Sequence, residues 1–314
     1  MKLRRFLKWV IITALLLPVV IAAVYLYPVI ADPEPGFWQR KGELITSDVT
    51  RQWQHGAERY EEITLTSNSG LVVAITVRRP QQGSDRLPLM ILLGGYGTGR
   101  HAAELLTESY PLVVASLSYP YAGDRNMQGV QLLRNIPHIQ QAQLDITPAV
   151  LLTLDYLLTR PDVDVKHVEL VGVSLGAFFV AMPGAIDTRF TRVWFMQGAA
   201  DPQTIFNNRL EKDITSPWWR DKTAGLIALL LNVHHIAPEH WVGRIAPRPV
   251  VAVNSRGDQA FPLHSVTALH AAFGEPHEII WIEGEHVRPS LPDVVQQLSE
   301  LVIRRIAQPP VRSE

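Results

Sequence analysis

The chain has 314 residues, 47% of them hydrophobic, and its 29 basic and 30 acidic side chains leave a formal charge of −1, so one large α/β domain with an ample core fits this length better than two small ones. It contains no cysteine, which excludes disulfides, thiolate metal sites and a cysteine nucleophile together. Four of the basic residues and none of the acidic ones lie in the first 31 positions; the remaining 25 basic against 30 acidic residues form no basic run, which argues against nucleic acid as a partner.

Lys2, Arg4, Arg5 and Lys8 precede an uncharged run from Trp9 to Ile30, whose 22 residues as a helix would cover the roughly 30 Å of a bilayer core. Residues 1–31 are therefore expected to form an N-terminal transmembrane helix, with Trp9, Tyr25 and Tyr27 at the two interfaces. The basic flank keeps the N-terminus cytoplasmic and puts the main domain on the far side, periplasmic if the chain is bacterial. A cleaved signal peptide is the alternative, because Val29 and Ala31 offer a small-residue cleavage site; either way the domain is exported.

Asp32-Pro-Glu-Pro-Gly36 reads as a stiff linker, and residues 32–60 as linker and lead-in to a folded domain at 61–314. Glu62 to Ser67 and Leu71 to Arg78 are β-rich runs joined by Asn68-Ser-Gly70, an antiparallel hairpin at a sheet edge. Leu89 to Leu93 is a short apolar run of the kind buried on both faces of a parallel sheet, followed by Gly94-Gly-Tyr-Gly-Thr-Gly99 and a helix from His101 to Ser109. A loop with so little side-chain bulk can aim backbone N–H groups into a pocket. The candidate oxyanion donors are the N–H groups of Tyr96 and Leu175, with Gly95 beside them. A dinucleotide-binding loop is the competing reading, but the glycine spacing lacks the G-x-G-x-x-G order; a plain turn is the bland one.

Leu112 to Ser116 is the next strand, and the loop from Tyr119 to Arg125 emerges beside the pocket. Thr147 and Pro148 open a helix whose buried face is Leu151, Leu154 and Leu158. Val168 to Met182 then reads as strand, turn and helix around Gly172-Val-Ser-Leu-Gly176, a G-x-S-x-G nucleophile elbow with Ser174 at its apex. A serine hydroxyl is a weak nucleophile near neutral pH, so it must sit on a sharp turn where a histidine reaches it from one side and substrate from the other. Strands at Val193 to Gln197, Val250 to Asn254 and Glu278 to Ile282, with a last helix near Leu291 to Ile306, complete a doubly wound, mostly parallel sheet. Residues 201–241 exceed what a connection needs and are expected to form a small helical cap over the site, with its apolar residues either packing on the domain or walling an acyl site.

A serine needs a base, and the base needs an acid that orients it. Asp258, in Asn254-Ser-Arg-Gly-Asp258, and His286, in Glu283-Gly-Glu-His286, each follow a strand and so emerge at the edge where the elbow emerges. Asp201 is a second candidate acid; His264, His234, His235 and His240 are alternative bases, read otherwise as surface or hydrogen-bonded histidines. Neither His234-His235 nor Glu283 and Glu285 has a metal-ligand spacing, so no metal and no cofactor is expected.

From about Glu62 to Ile306 the chain resembles the α/β-hydrolases. Arg160-Pro-Asp-Val-Asp164, Ile245-Ala-Pro-Arg-Pro-Val250 and Gly284-Glu-His286 resemble the branch holding dienelactone hydrolases, acyl-thioesterases and prolyl-oligopeptidase catalytic domains. The resemblance implies serine-dependent acyl transfer to water and no particular substrate; a carboxylic ester or thioester with a small-molecule or lipid-like acyl group is the expected one. The chain departs from it in having no cysteine nucleophile, no propeller, and Gly94-Gly95 where a His-Gly pair is usual. An amidase, peptidase or acyltransferase would use the same three residues, and a non-catalytic scaffold of this fold is the reading from another class.

Overall fold

The computed structural model of the chain describes residues 12–19, 33–82, 86–95, 97–121, 123 and 130–306. The expected transmembrane helix is corrected: among the described residues no helix is long and apolar enough to cross a membrane. Of the run 9–30 only 12–19 are described, and these eight residues are helical. The rest of that run lies outside the described residues. Hydropathy measures only how apolar a run is, and Pro18 within the described residues has no N–H to donate to a helical ladder.

The segment expected to be a linker is built into the fold instead. Helix α1 (Glu34–Lys41) starts with proline at its N-cap and in its first turn, where a missing N–H costs nothing. Phe37 is wholly buried, Arg40 binds Asp145 at 2.7 Å, and Lys41 pairs with Asp155. Strand β1 (Leu44–His55) follows and pairs antiparallel with β2 (Glu58–Ser67). Its side chains are nearly all exposed, so it carries no apolar alternation from which a strand could be read.

The sheet has nine strands in the order β1-β2-β3-β5-β4-β6-β7-β8-β9, with β3 (Val72–Pro80), β4 (Leu87–Leu93), β5 (Val113–Leu117), β6 (Val163–Val173), β7 (Arg192–Met196), β8 (Val250–Ser255) and β9 (His277–Ile282). The first three strands and β5 join antiparallel; from β5 through β4 to β9 every pairing is parallel. Strands β5, β7 and β8 are buried along their whole length, as a parallel strand covered on both faces must be.

One face is covered by helix α2 (Val130–Leu157) and by the short helices α3 (Leu175–Phe179) and α4 (Ala181–Ile186). Helix α2 runs unbroken through Pro137 and Pro148 instead of opening at Thr147, whose buried hydroxyl caps nothing. The lost backbone bonds are tolerated because Ile146, Ala149, Val150 and Leu154 are packed into the core. The other face is covered by α8 (Pro292–Ile306) and by a 3₁₀ helix at Gly99–Leu105, a tighter and shorter element than the expected helix from His101 to Ser109. Between β7 and β8, helices α5 (Pro202–Arg209) and α6 (Pro217–Leu230) and a series of 3₁₀ turns occupy the expected cap region; α7 (Leu263–Ala271) lies between β8 and β9.

Candidate active site

Strand β6 ends in a turn held in a conformation few side chains adopt: Ser174 has φ 54° and ψ −112°. The turn is pinned by the Ser174 N–H donating to the Met196 carbonyl at 2.9 Å and by the Ala177 N–H donating to the Ser174 carbonyl at 3.0 Å. Its glycines are required by crowding. A Cβ on Gly176 would overlap the Leu93 carbonyl, and one on Gly172 would lie 2.6 Å from the Gly176 oxygen.

Ser174 Oγ lies 2.7 Å from His286 Nε2, and His286 Nδ1 lies 2.7 Å from Asp258 Oδ2. A carboxylate accepts only, so the Nδ1–H donates to Asp258 and leaves Nε2 as the acceptor for the serine hydroxyl. Asp258 is held in turn: its Oδ1 accepts the Ala260 N–H at 2.7 Å. The side chains of His286 and Asp258 are only 11% and 4% exposed, and the Phe261 ring meets the imidazole edge to face at 5.1 Å. The geometry thus brings together Ser174, Asp258 and His286 from the ends of β6, β8 and β9.

The alternative residues are engaged elsewhere. Asp201, left-handed at φ 53°, caps α5 by accepting from the Thr204 N–H and hydroxyl. His264 is exposed on α7. His234 and His240 stack edge to face with ring centres 4.4 Å apart, and His240 Nδ1 lies 3.1 Å from the His234 carbonyl. His235 is buried in the same 3₁₀ turn as His234. Among the described residues no group of three His, Cys, Asp or Glu side chains could hold a metal ion.

Of the expected oxyanion donors, Tyr96 lies outside the described residues, Leu175 directly follows the nucleophile, and Gly95 lies across from it. A Cβ on Gly95 would sit 3.5 Å from the Ser174 Cβ. The Gly95 carbonyl is fixed by the Thr98 N–H (3.2 Å) and hydroxyl (2.9 Å), and the Gly94 carbonyl by the Tyr119 hydroxyl at 2.5 Å. Burial pushes the Tyr119 phenol well above its ordinary value, so it stays a donor.

Sequence reasoning missed Gln197. It is wholly buried at φ 49°, its Nε2 donates to Ser255 Oγ at 2.5 Å and to the Glu285 carbonyl at 3.3 Å, and its Oε1 accepts the Val287 N–H. It therefore grips the backbone on both sides of His286. The available signal was one amide closing an otherwise apolar strand, Val193-Trp-Phe-Met-Gln197.

A cavity of about 330 Å³ opens at Ser174, Gly95 and His286 and runs between the sheet and α8. Arg209 from the end of α5 and Arg288 stand at its mouth, so the cap contributes a guanidinium there and not the apolar wall weighed from sequence. Two of the cap's tryptophans, Trp218 and Trp219, are exposed, while Trp241 is buried.

No protein-family model and no curated protein matches the chain. Solved structures do. An acetyl xylan esterase from Paenibacillus sp. R4 superposes with a TM-score of 0.63 at 14% identity, covering 90% of this chain and 94% of that one. Acetyl xylan esterase 1 from Thermoanaerobacterium sp. JW/SL YS485 gives 0.61 at 13%, covering 88% and 92%. A cold-adapted esterase from an Arctic intertidal metagenomic library gives 0.54 at 14%, covering 82% and 99%. The chain has the α/β-hydrolase fold.

Proposed function

We propose that the protein is a serine hydrolase that cleaves a carboxylic ester or thioester through an acyl-enzyme. The observation that carries this reading is the unbroken hydrogen-bond series from Ser174 through His286 to Asp258 at the mouth of a cavity. His286 Nε2 takes the Ser174 proton as Oγ attacks the carbonyl carbon. The N–H groups of Leu175 and Tyr96, beside Gly95, receive the oxyanion. His286 then passes its proton to the departing alcohol or thiol as the carbonyl re-forms, leaving acyl-Ser174. Water attacks the acyl-enzyme with His286 again as base, and the acid is released with Ser174 restored. Asp258 holds the imidazole in the required tautomer and stabilises its charged form. That the structures it resembles include esterases favours esters over amides as substrates.

The test is hydrolysis of p-nitrophenyl esters and an acyl thioester by the purified protein against Ser174→Ala. The expected loss in the variant is at least about 10⁴-fold in kcat. An unchanged rate in Ser174→Ala would overturn the reading. Action outside the cytoplasm is proposed on the basic leader and apolar run alone. Its check is fractionation of expressing cells, in which recovery with the cytosol would contradict it.

A further inference from the structure

The cavity behind Ser174 extends further than carbonyl chemistry needs. Met90 and Leu92 of β4 and Gly94 just beyond its end all line it. Four residues of strand rise place Met90 about 13 Å below the edge at which Gly95 meets Ser174. Leu298 and Val302 of α8 form the facing wall. The 3₁₀ helix at Gly99–Leu105 closes one side of this space with Ala102 and Leu105, and Leu106 follows it there.

Among the described residues the lining beyond the mouth is mainly apolar, and its two side-chain hydroxyls have their protons committed to backbone carbonyls. The Thr98 hydroxyl donates to the Gly95 carbonyl at 2.9 Å and the Ser299 hydroxyl to the Val295 carbonyl at 2.7 Å. Charged and titratable side chains, Arg209, His286 and Arg288, are confined to the mouth. A sugar ring would find only the spare lone pairs of these two hydroxyls for its several hydroxyl groups, and an acetyl group would fill only the entrance. An extended aliphatic chain fits both the shape and the chemistry. At about 1.3 Å of advance per carbon, set by ordinary C–C bonds, 13 Å takes about ten carbons.

We infer that this cavity receives the acyl chain of the substrate, a linear aliphatic chain of about eight to ten carbons; the inference rests on the ester-hydrolase reading. The experiment measures kcat/KM for p-nitrophenyl esters from C2 to C16, with labelling of Ser174 by a small fluorophosphonate run alongside. The expected profile rises about three- to fourfold per methylene to a maximum at C8 to C10 and then falls. Val302→Trp, which fills part of the cavity from α8, moves the maximum to a shorter chain, about C4. Because that variant risks misfolding, Ser174→Ala is also melted with and without decanoate; a rise in Tm with decanoate and none with acetate is expected. A labelled protein with a flat profile, or one fastest on acetate, and no decanoate stabilisation overturns the chain assignment and leaves the hydrolase reading standing. Absence of both labelling and hydrolysis in the folded protein overturns the hydrolase reading, and the inference with it.

Discussion

Replacing Gln197 by alanine separates the positioning of His286 from its chemistry. The change removes three hydrogen bonds: one to Ser255 Oγ, which is buried, and those to the Glu285 carbonyl and the Val287 N–H. A buried polar group left without its partner costs about 1–3 kcal/mol. Ser255 bears that cost in full, whereas Glu285 is exposed and Val287 partly so, and water can replace part of what they lose. The sum is a destabilisation of about 3 kcal/mol. The same loss frees the backbone on both sides of His286, and a drift of the imidazole by a fraction of an ångström is expected to lower kcat by about 10- to 100-fold with KM little changed. Gln197→Glu keeps an acceptor for Val287 but buries a carboxylate oxygen against the Glu285 carbonyl, so it should not restore wild-type stability or kcat. Urea unfolding gives the stability and a short-chain ester gives kcat. A stability loss of this size with kcat unchanged would refute the positioning argument and leave Gln197 a core residue only.

Gly176→Ala drives a Cβ into the Leu93 carbonyl, and a loss of about 3 kcal/mol or more, read as a lowered denaturation midpoint or as insoluble protein, is expected. Asp258→Asn should leave the melting temperature within a few degrees and lower kcat by about 10³- to 10⁴-fold, measured on a p-nitrophenyl ester. Burial, and secondarily the neighbouring His277, depress the His270 pKa from 6.5 to about 4, while its Nε2 hydrogen-bonds Asn254 Oδ1 at 2.9 Å. On acidification the unfolded chain takes this proton first, so the contribution is complete above pH 6.5 and is lost as pH falls toward 4. Urea midpoints should drop between pH 6.5 and 4.5, and His270→Gln should flatten part of that drop.

The parallel strands were legible because burial on both faces leaves short apolar runs bounded by turns, as at Leu89–Leu93 and Val250–Asn254. Ser174, Asp258 and His286 were legible as candidates because each follows such a run, and strand ends on one edge are neighbours in space whatever their separation in sequence. Other features are set by properties that a local pattern does not carry. Strand β1 is stabilised by pairing with β2 while its side chains face solvent, so its polar composition resembled a lead-in. Pro148 resembled a helix start because a proline fits a first turn, although here tertiary packing carries the helix through it. The apolar run after the basic leader resembled a transmembrane helix on hydropathy alone, and among the described residues no helix is long and apolar enough to cross a membrane. Gln197 was passed over because a neutral amide carries no chemical signature of its own. The cavity lies between one face of the sheet, a 3₁₀ helix at Gly99–Leu105 and α8, an arrangement that only the packed structure reveals.

The most direct test of the account is whether Ser174 is an activated nucleophile. Residues 33–314 would be treated with a fluorophosphonate and the adduct mapped by mass spectrometry, in wild type, Ser174→Ala, His286→Ala and Asp258→Asn. The account expects a single adduct on Ser174 in wild type, none in the serine and histidine variants, and slow labelling in the aspartate variant. A folded wild-type domain that takes no label, or one that labels equally after His286→Ala, would contradict it.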